Sequence, residues 1–218
     1  MPSLDRYRNR HGEVWLNIAS SSYVLPDFAN LDNHPFLRVS RLPRTITALF
    51  KRHAPAIDSF REARHRVTLI KHDCRKRLPL PDASADHILC SHFLEHVYPA
   101  EAREILADFR RVLKPGGTAH IIVPDLAIFA SAYASTKDAD AFVTDTLLST
   151  PERGSLRYRL LEALGAFGLQ HRWMYDARSI AALVQSAGFE IINDVTTPSS
   201  AYRSGDGQSA HVTARKPR

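Results

Sequence analysis

Apolar residues fall into short runs separated by polar segments from residue 14 to the C-terminal end, and the runs alternate with stretches of helical spacing. That alternation predicts an α/β domain with a largely parallel sheet. Residues 14–18 and 28–32 are the first two strand candidates, the second ending in the acid Asp32. A helical spacing follows over 43–65, carrying Ile46, Leu49 and Phe50 and broken at Pro55. Residues 67–72 predict a third strand that runs into Asp73, and residues 86–92 a fourth. A strong helix is predicted over 100–113, with Ile105, Leu106, Phe109, Val112 and Leu113 on one face. Lys114-Pro115-Gly116-Gly117 ends it with a cation, a proline and glycines. Residues 119–123 predict a fifth strand before Pro124-Asp125.

Residues 126–170 are expected to be helical, on a weak pattern. A clear helix over 179–187 ends at Gly188, and 189–195 and 210–214 supply two final strands. No helix separates those two, so they are expected to be antiparallel neighbours.

Composition narrows the class. The chain has 218 residues, 44% of them hydrophobic and 24% charged, which fits one ordinary domain and excludes wholesale disorder. No apolar stretch approaches the roughly 20 residues of a membrane span, and residues 1–10 lack the apolar core of a secretion signal. The two cysteines, Cys74 and Cys90, form no C-x-x-C pair, so neither a disulfide framework nor a cysteine zinc site is expected. The expectation is a cytoplasmic protein in a reducing compartment. Net charge is +6, and 23 of the 29 basic residues are arginine. They are scattered along the chain and not clustered on one segment, which favours a reflection of genome composition, although arginine also suits an anionic partner.

Several segments in order then carry a resemblance. They are Asp73-Cys-Arg-Lys-Arg-Leu-Pro-Leu-Pro-Asp82, Asp86-His-Ile-Leu-Cys-Ser-His-Phe-Leu-Glu-His96, Arg111-Val-Leu-Lys-Pro-Gly-Gly117, Ile122-Val-Pro-Asp125 and His171-Arg-Trp-Met-Tyr-Asp176. Together they resemble the class I S-adenosylmethionine-dependent methyltransferases, and more narrowly the methyltransferase type 11 group, over nearly the whole chain. The resemblance implies a single domain over 1–218. It also implies a seven-stranded, mostly parallel Rossmann-like sheet of order 3-2-1-4-5-7-6 with helices on both faces and a helical lid over about 126–175. S-adenosylmethionine would lie over the C-terminal ends of strands one to four, where open α/β sheets take ligands. Asp32 is then the ribose candidate and Asp73 the adenine candidate, with Cys74 and Arg75 supplying neighbouring backbone. Ser91 and His92, leaving strand four, would lie beside the methionine portion.

The stretch after strand one departs from the family pattern. Class I enzymes carry an acid and a Gly-x-Gly-x-Gly loop there; this chain has Asn17-Ile18-Ala19-Ser20-Ser21-Ser22-Tyr23, without glycine. Asn17, Ala19, Ser20 and Ser21 are the cofactor-loop candidates, and any of them needing a positive φ would be strained by about 1–2 kcal/mol. The nine residues 19–27 are too few for a helical crossover of about 10–12 residues. An extended or one-turn connection is therefore expected, with weak cofactor affinity unless the acceptor is present.

Methyl transfer draws mainly on alignment, and a hydroxyl or amine acceptor gains from a base titrating near neutrality, for which histidine is the default. His92 and His171 are the catalytic candidates. His96 stands one helical turn after His92 and reads more readily as a packed residue. No third ligand is evident beside that pair, so no metal is expected. Trp173 and Tyr175 could wall a small-molecule or glycan acceptor, and Arg153, Arg157, Arg159 and Arg172 could face an anionic one. The competing reading is a non-catalytic binding protein on the same fold, favoured by the missing glycines. A nucleic-acid methyltransferase is disfavoured because no RNA-binding module and no Asn-Pro-Pro-Tyr motif is present. A nicotinamide dehydrogenase is disfavoured because no Gly-x-Gly-x-x-Gly follows strand one.

Overall fold

The computed structural model describes residues 4–21, 23–47, 54–149, 170–194, 202 and 207–218. Its strands are β1 (Trp15–Ile18), β2 (Ala29–Asp32), β3 (Thr68–Lys71), β4 (Ala85–Ser91), β5 (Leu113–Pro124), β6 (Glu190–Ile191) and β7 (Ser209–Arg215). They form one seven-stranded sheet of order β3-β2-β1-β4-β5-β7-β6, as the resemblance implies. All pairs are parallel except the two that β7 makes with β5 and β6.

The helices are α1 (Phe36–Val39), α2 (Arg44–Thr47), α3 (Ala54–Ala63), α4 (Pro99–Val112), α5 (Leu126–Thr136), α6 (Ala139–Asp145) and α7 (Ala177–Ser186). Helix α4 begins with Pro99, whose missing N–H would have been unpaired at a helix start anyway. The Glu101 side chain accepts from the Tyr98 amide at 2.9 Å. Its buried residues Ala102, Ile105, Leu106, Phe109 and Val112 recur at three and four, one apolar stripe. In α7 the Asp176 carboxylate accepts from the Ser179 amide at 2.7 Å, and the Ser179 hydroxyl accepts from the Asp176 amide at 2.9 Å. This reciprocal cap lets Ile180, Leu183 and Val184 start at the right phase to bury.

Alternation along the strands sorts the two faces. Leu16, Ile18, Leu31, Ile88, Cys90, Ile121 and Val212 join the α4 and α7 stripes in the main core. The opposite face carries Trp15, Phe28, Leu89, Ile122 and Tyr202, together with a polar ladder. His87 contacts the Thr118 hydroxyl at 2.7 Å and the Tyr202 hydroxyl at 3.0 Å. His120 contacts Thr213 at 3.1 Å. Burial lowers the pKa of both His87 and His120 to about 4, so both are neutral at pH 7.

Over 43–65 the described helices are α2 and α3, with Pro55 in α3 and residues 48–53 outside the described residues. Two expectations change in detail. Strand β5 starts at Leu113, earlier than expected, because Leu113 already pairs with Ala85 before the ladder shifts register. Gly117 permits this turn: a Cβ there would lie 3.0 Å from the Lys114 carbonyl oxygen and 3.2 Å from that of Asp86. Strand β6 is two residues long against the seven expected; position 195, the last of them, lies outside the described residues, as do Leu49, Phe50 and residues 150–169.

Candidate active site

The C-terminal ends of β1 and β2 lie side by side, and a short connection leads from the end of β1 back to the start of the parallel β2. No helix occurs among the described residues between them, in keeping with the nine-residue spacing. The loop takes a glycine-type path without glycine: Ala19 has φ 51° and Ser21 φ 45°. Each left-handed residue costs about 1–2 kcal/mol, so the surrounding contacts must hold the loop in place. The Ser20 amide donates to the Leu31 carbonyl at 3.1 Å and the Tyr23 amide to the Ser20 carbonyl at 2.8 Å. Asp32, ending β2, accepts from the Ser21 amide at 2.7 Å on one oxygen and from the His34 amide at 2.5 Å on the other. Asn17, in β1, turns to the sheet's second face. It donates to the Tyr23 carbonyl at 2.7 Å and to the Asn30 side chain at 2.8 Å. It therefore braces the loop from below.

Asp73 lies two residues past β3. Its carboxylate accepts from Arg75 three times, from the backbone amide at 3.2 Å and from the guanidinium at 3.0 and 2.9 Å. These bonds hold its pKa below the usual carboxylate range. Cys74 is buried, with its thiol 3.7 Å from the Leu31 carbonyl oxygen, and burial pushes that thiol up to about 12. It is a packing residue beneath the loop, inert as a nucleophile. A cavity of about 410 Å³ opens between this segment and α4, lined by Arg75, Leu78, Glu104 and Asp108 among others. None of its lining comes from the β1 loop or the end of β2, so it is separate from the β1–β2 site.

Strand β4 ends at Ser91, which is buried beside Ile122 of β5. His92 follows with φ 52°, its amide bound to the Ile122 carbonyl at 2.9 Å. This kink turns the chain off the sheet and aims the imidazole at two partners. Nδ1 lies 3.3 Å from Glu95 Oε1, and Nε2 lies 3.3 Å from the Ser209 hydroxyl. A single 3₁₀ turn, Leu94–His96, comes next.

The segment 170–175 docks onto that turn. The Glu95 carbonyl accepts from the Arg172 amide at 2.7 Å and from the Trp173 amide at 3.1 Å. Tyr175 bridges to Asp125, just past β5. His171 is buried, its amide bound to the Leu147 carbonyl at 3.0 Å and its ring 5.0 Å from that of His96. Burial lowers its pKa, against the opposing pull of the Glu95 carboxylate. The structure therefore brings His92, His96 and His171 around one acid. Of the expected acceptor wall, Trp173 is exposed, whereas Tyr175 is in the core. Arg172 lies over the Tyr98 ring at 5.1 Å. Arg153, Arg157 and Arg159 lie outside the described residues.

The residue that sequence reasoning passed over is Glu95. It is completely buried, and neither carboxylate oxygen has a hydrogen-bond partner among the described residues. The available signal was an acid inside the apolar run Phe93-Leu94-Glu95-His96-Val97, where burial of a charge is costly unless it serves a purpose.

Comparison with known proteins agrees with this geometry. Residues 45–121 match a family model described as a methyltransferase domain. A Methanosarcina mazei S-adenosylmethionine-dependent methyltransferase is 16% identical with a TM-score of 0.54, covering 93% of this chain and 92% of that one. The PH0226 protein of Pyrococcus horikoshii is 16% identical with a TM-score of 0.53, covering 94% and 81%. A chain of the Haloferax volcanii complex between the Trm112 methyltransferase activator and a methyltransferase is 12% identical, with a TM-score of 0.52 and coverage of 94% and 82%. No curated protein matches. The sheet order and these similar structures show the class I methyltransferase fold, residues 45–121 carry the methyltransferase-domain match, and S-adenosylmethionine is the cofactor named for the Methanosarcina mazei protein. Among the described residues no helix is long and apolar enough to cross a membrane.

The residues at the β1–β2 edge fit that cofactor. The Ser20 hydroxyl is buried with no hydrogen-bond partner among the described residues, an orphan donor in the loop after β1. Asp32 uses two of its roughly four acceptor positions on Ser21 and His34, which leaves room for ribose hydroxyls.

Proposed function

We propose that this chain is a catalytically active S-adenosylmethionine-dependent methyltransferase acting on a hydroxyl or amine of a small molecule or glycan intermediate. The proposal covers one domain, 1–218, with a helical insertion over about 126–175. Asp32 would hold the ribose. Asp73, pre-oriented by Arg75, would face the adenine amino group, with the Cys74 and Arg75 backbone beside it. Ala19, Ser20 and Ser21 would cradle the methionine portion, with Asn17 bracing them, and Ser91 would flank it. The bound cofactor supplies a methyl group on a sulfonium, a good leaving group that needs little covalent help. The protein's own task is then to align the acceptor with that methyl and to take its proton. His92 is the candidate base: it leaves the sheet at the end of β4, where the methyl group is expected, and Glu95 lies behind its Nδ1. His171 would close the acceptor side. Its lowered pKa keeps the ring neutral and able to accept a proton at pH 7.

The single observation that supports this reading is the loop after β1, left-handed at Ala19 and Ser21 and clamped by Asp32 at the C-terminal edge of the sheet. Titrating S-adenosylmethionine and S-adenosylhomocysteine into the full chain tests it. Saturable binding of both that falls in Asp32→Asn is expected. Absence of binding under all conditions, with candidate acceptors included, would transfer the case to the non-catalytic binding protein.

A further inference from the structure

We propose that Glu95, His96 and His171 form a binding site for a divalent first-row transition metal of the zinc type. One ligand atom from each of the three lies within 4.8 Å of the other two. Two ligands at about 2.1 Å from a tetrahedral ion stand about 3.4 Å apart, so the trio must close by little more than an ångström.

The buried acid is the independent observation. A carboxylate withdrawn from water costs several kcal/mol unless charge or hydrogen bonds compensate it. Glu95 is completely buried and makes no hydrogen bond through either oxygen among the described residues. Its near neighbours are imidazoles, His92 Nδ1 at 3.3 Å and His96 Nε2 at 4.0 Å, with the His171 ring against His96. Nitrogen-rich surroundings around one carboxylate are what a borderline cation selects.

The backbone holds the two halves together. Glu95 and His96 sit on the turn after β4, and His171 arrives on the segment 170–175, held there by the Arg172 and Trp173 amides on the Glu95 carbonyl. His96 receives a second brace, with Nδ1 3.2 Å from the Gln170 carbonyl oxygen. A carbonyl on one ring nitrogen leaves the other directed at the ion, the usual support of a metal histidine. Three protein ligands leave a coordination position for an oxygen, the arrangement of catalytic rather than structural zinc. That position would take an acceptor hydroxyl and lower its pKa, a role that rests on the methyltransferase reading; the binding site itself does not.

The test uses the full chain, freed of metal by a chelator, titrated with zinc alone by calorimetry and with cobalt alone by visible absorption. A single equivalent bound, a ligand-field spectrum from low-coordinate cobalt, and a rise in Tm on metal addition are expected. His171→Ala and Glu95→Gln should each weaken zinc by at least about 100-fold, the upper range for losing even an outer-shell partner. His65→Gln, at an exposed position, should leave it unchanged. If Glu95→Gln fails to fold, His96→Ala carries the same expectation. No stoichiometric binding, or binding that survives both His96→Ala and His171→Ala, overturns the site and leaves the cofactor titration untouched.

Discussion

The Asp32 carboxylate accepts the backbone amide of Ser21 at 2.7 Å, tying the loop after β1 to the end of β2. One side chain thus organises the loop and keeps acceptor capacity for a ligand. Asp32→Asn replaces one oxygen by a donor, so it should disturb both roles. Hydrogen bonds to charged groups are worth about 1.5–3 kcal/mol. S-adenosylmethionine affinity is therefore expected to fall by about 10- to 100-fold in a calorimetric titration, with an unchanged far-ultraviolet spectrum.

Ala19 and Ser21, not Ser20, occupy the left-handed positions of the loop. Relief of strain of about 1–2 kcal/mol is offset by the greater unfolded-state freedom of glycine, about 0.4–1 kcal/mol. Ala19→Gly and Ser21→Gly are each expected to stabilise the protein by up to about 1 kcal/mol in urea unfolding. Ser20→Gly gains no such relief, and a stabilisation at that position as large as at the other two would contradict this assignment.

Asp73 is held by Arg75, and its folded-state pKa is depressed, first of all by the guanidinium hydrogen bonds. The contribution is present above the unfolded carboxylate value of about 3.9 and lost as pH falls through the lower folded value. Unfolding midpoints should therefore drop below about pH 4 more steeply in wild type than in Asp73→Asn. Asp73→Ala should also weaken cofactor binding by about 1–3 kcal/mol.

His120 is almost completely buried, with its pKa lowered to about 4, first by desolvation and then by His211 and His87. The unfolded chain takes up a proton near pH 6.5 that the folded protein refuses until about pH 4. Stability should fall as pH drops through that window, by up to about 3 kcal/mol for this residue. His120→Gln should flatten the slope of unfolding free energy against pH.

Much of the architecture was legible in the sequence because its signals are local. Short apolar runs ending in Asp32 or reaching Asp73, the stripe from Ile105 to Val112, and the Lys-Pro-Gly-Gly stop each act within one or two turns of chain. The nine residues between strands one and two excluded a helix there by length alone. What lay beyond such signals depended on approach of segments distant in sequence. Nothing near residue 19 announces a positive φ at an alanine; the Asp32 clamp, the Leu31 carbonyl and the Asn17 brace impose it from outside. Asn17 stood out in the sequence as a cofactor-loop candidate, yet its direction was decided by Asn30 on the neighbouring strand. Glu95 and His171 stand far apart in the chain, and only the docking of the Arg172 and Trp173 amides on the Glu95 carbonyl places an imidazole beside that buried acid. Periodicity records which side chains leave water, whereas tertiary structure alone decides which polar groups meet once water is gone.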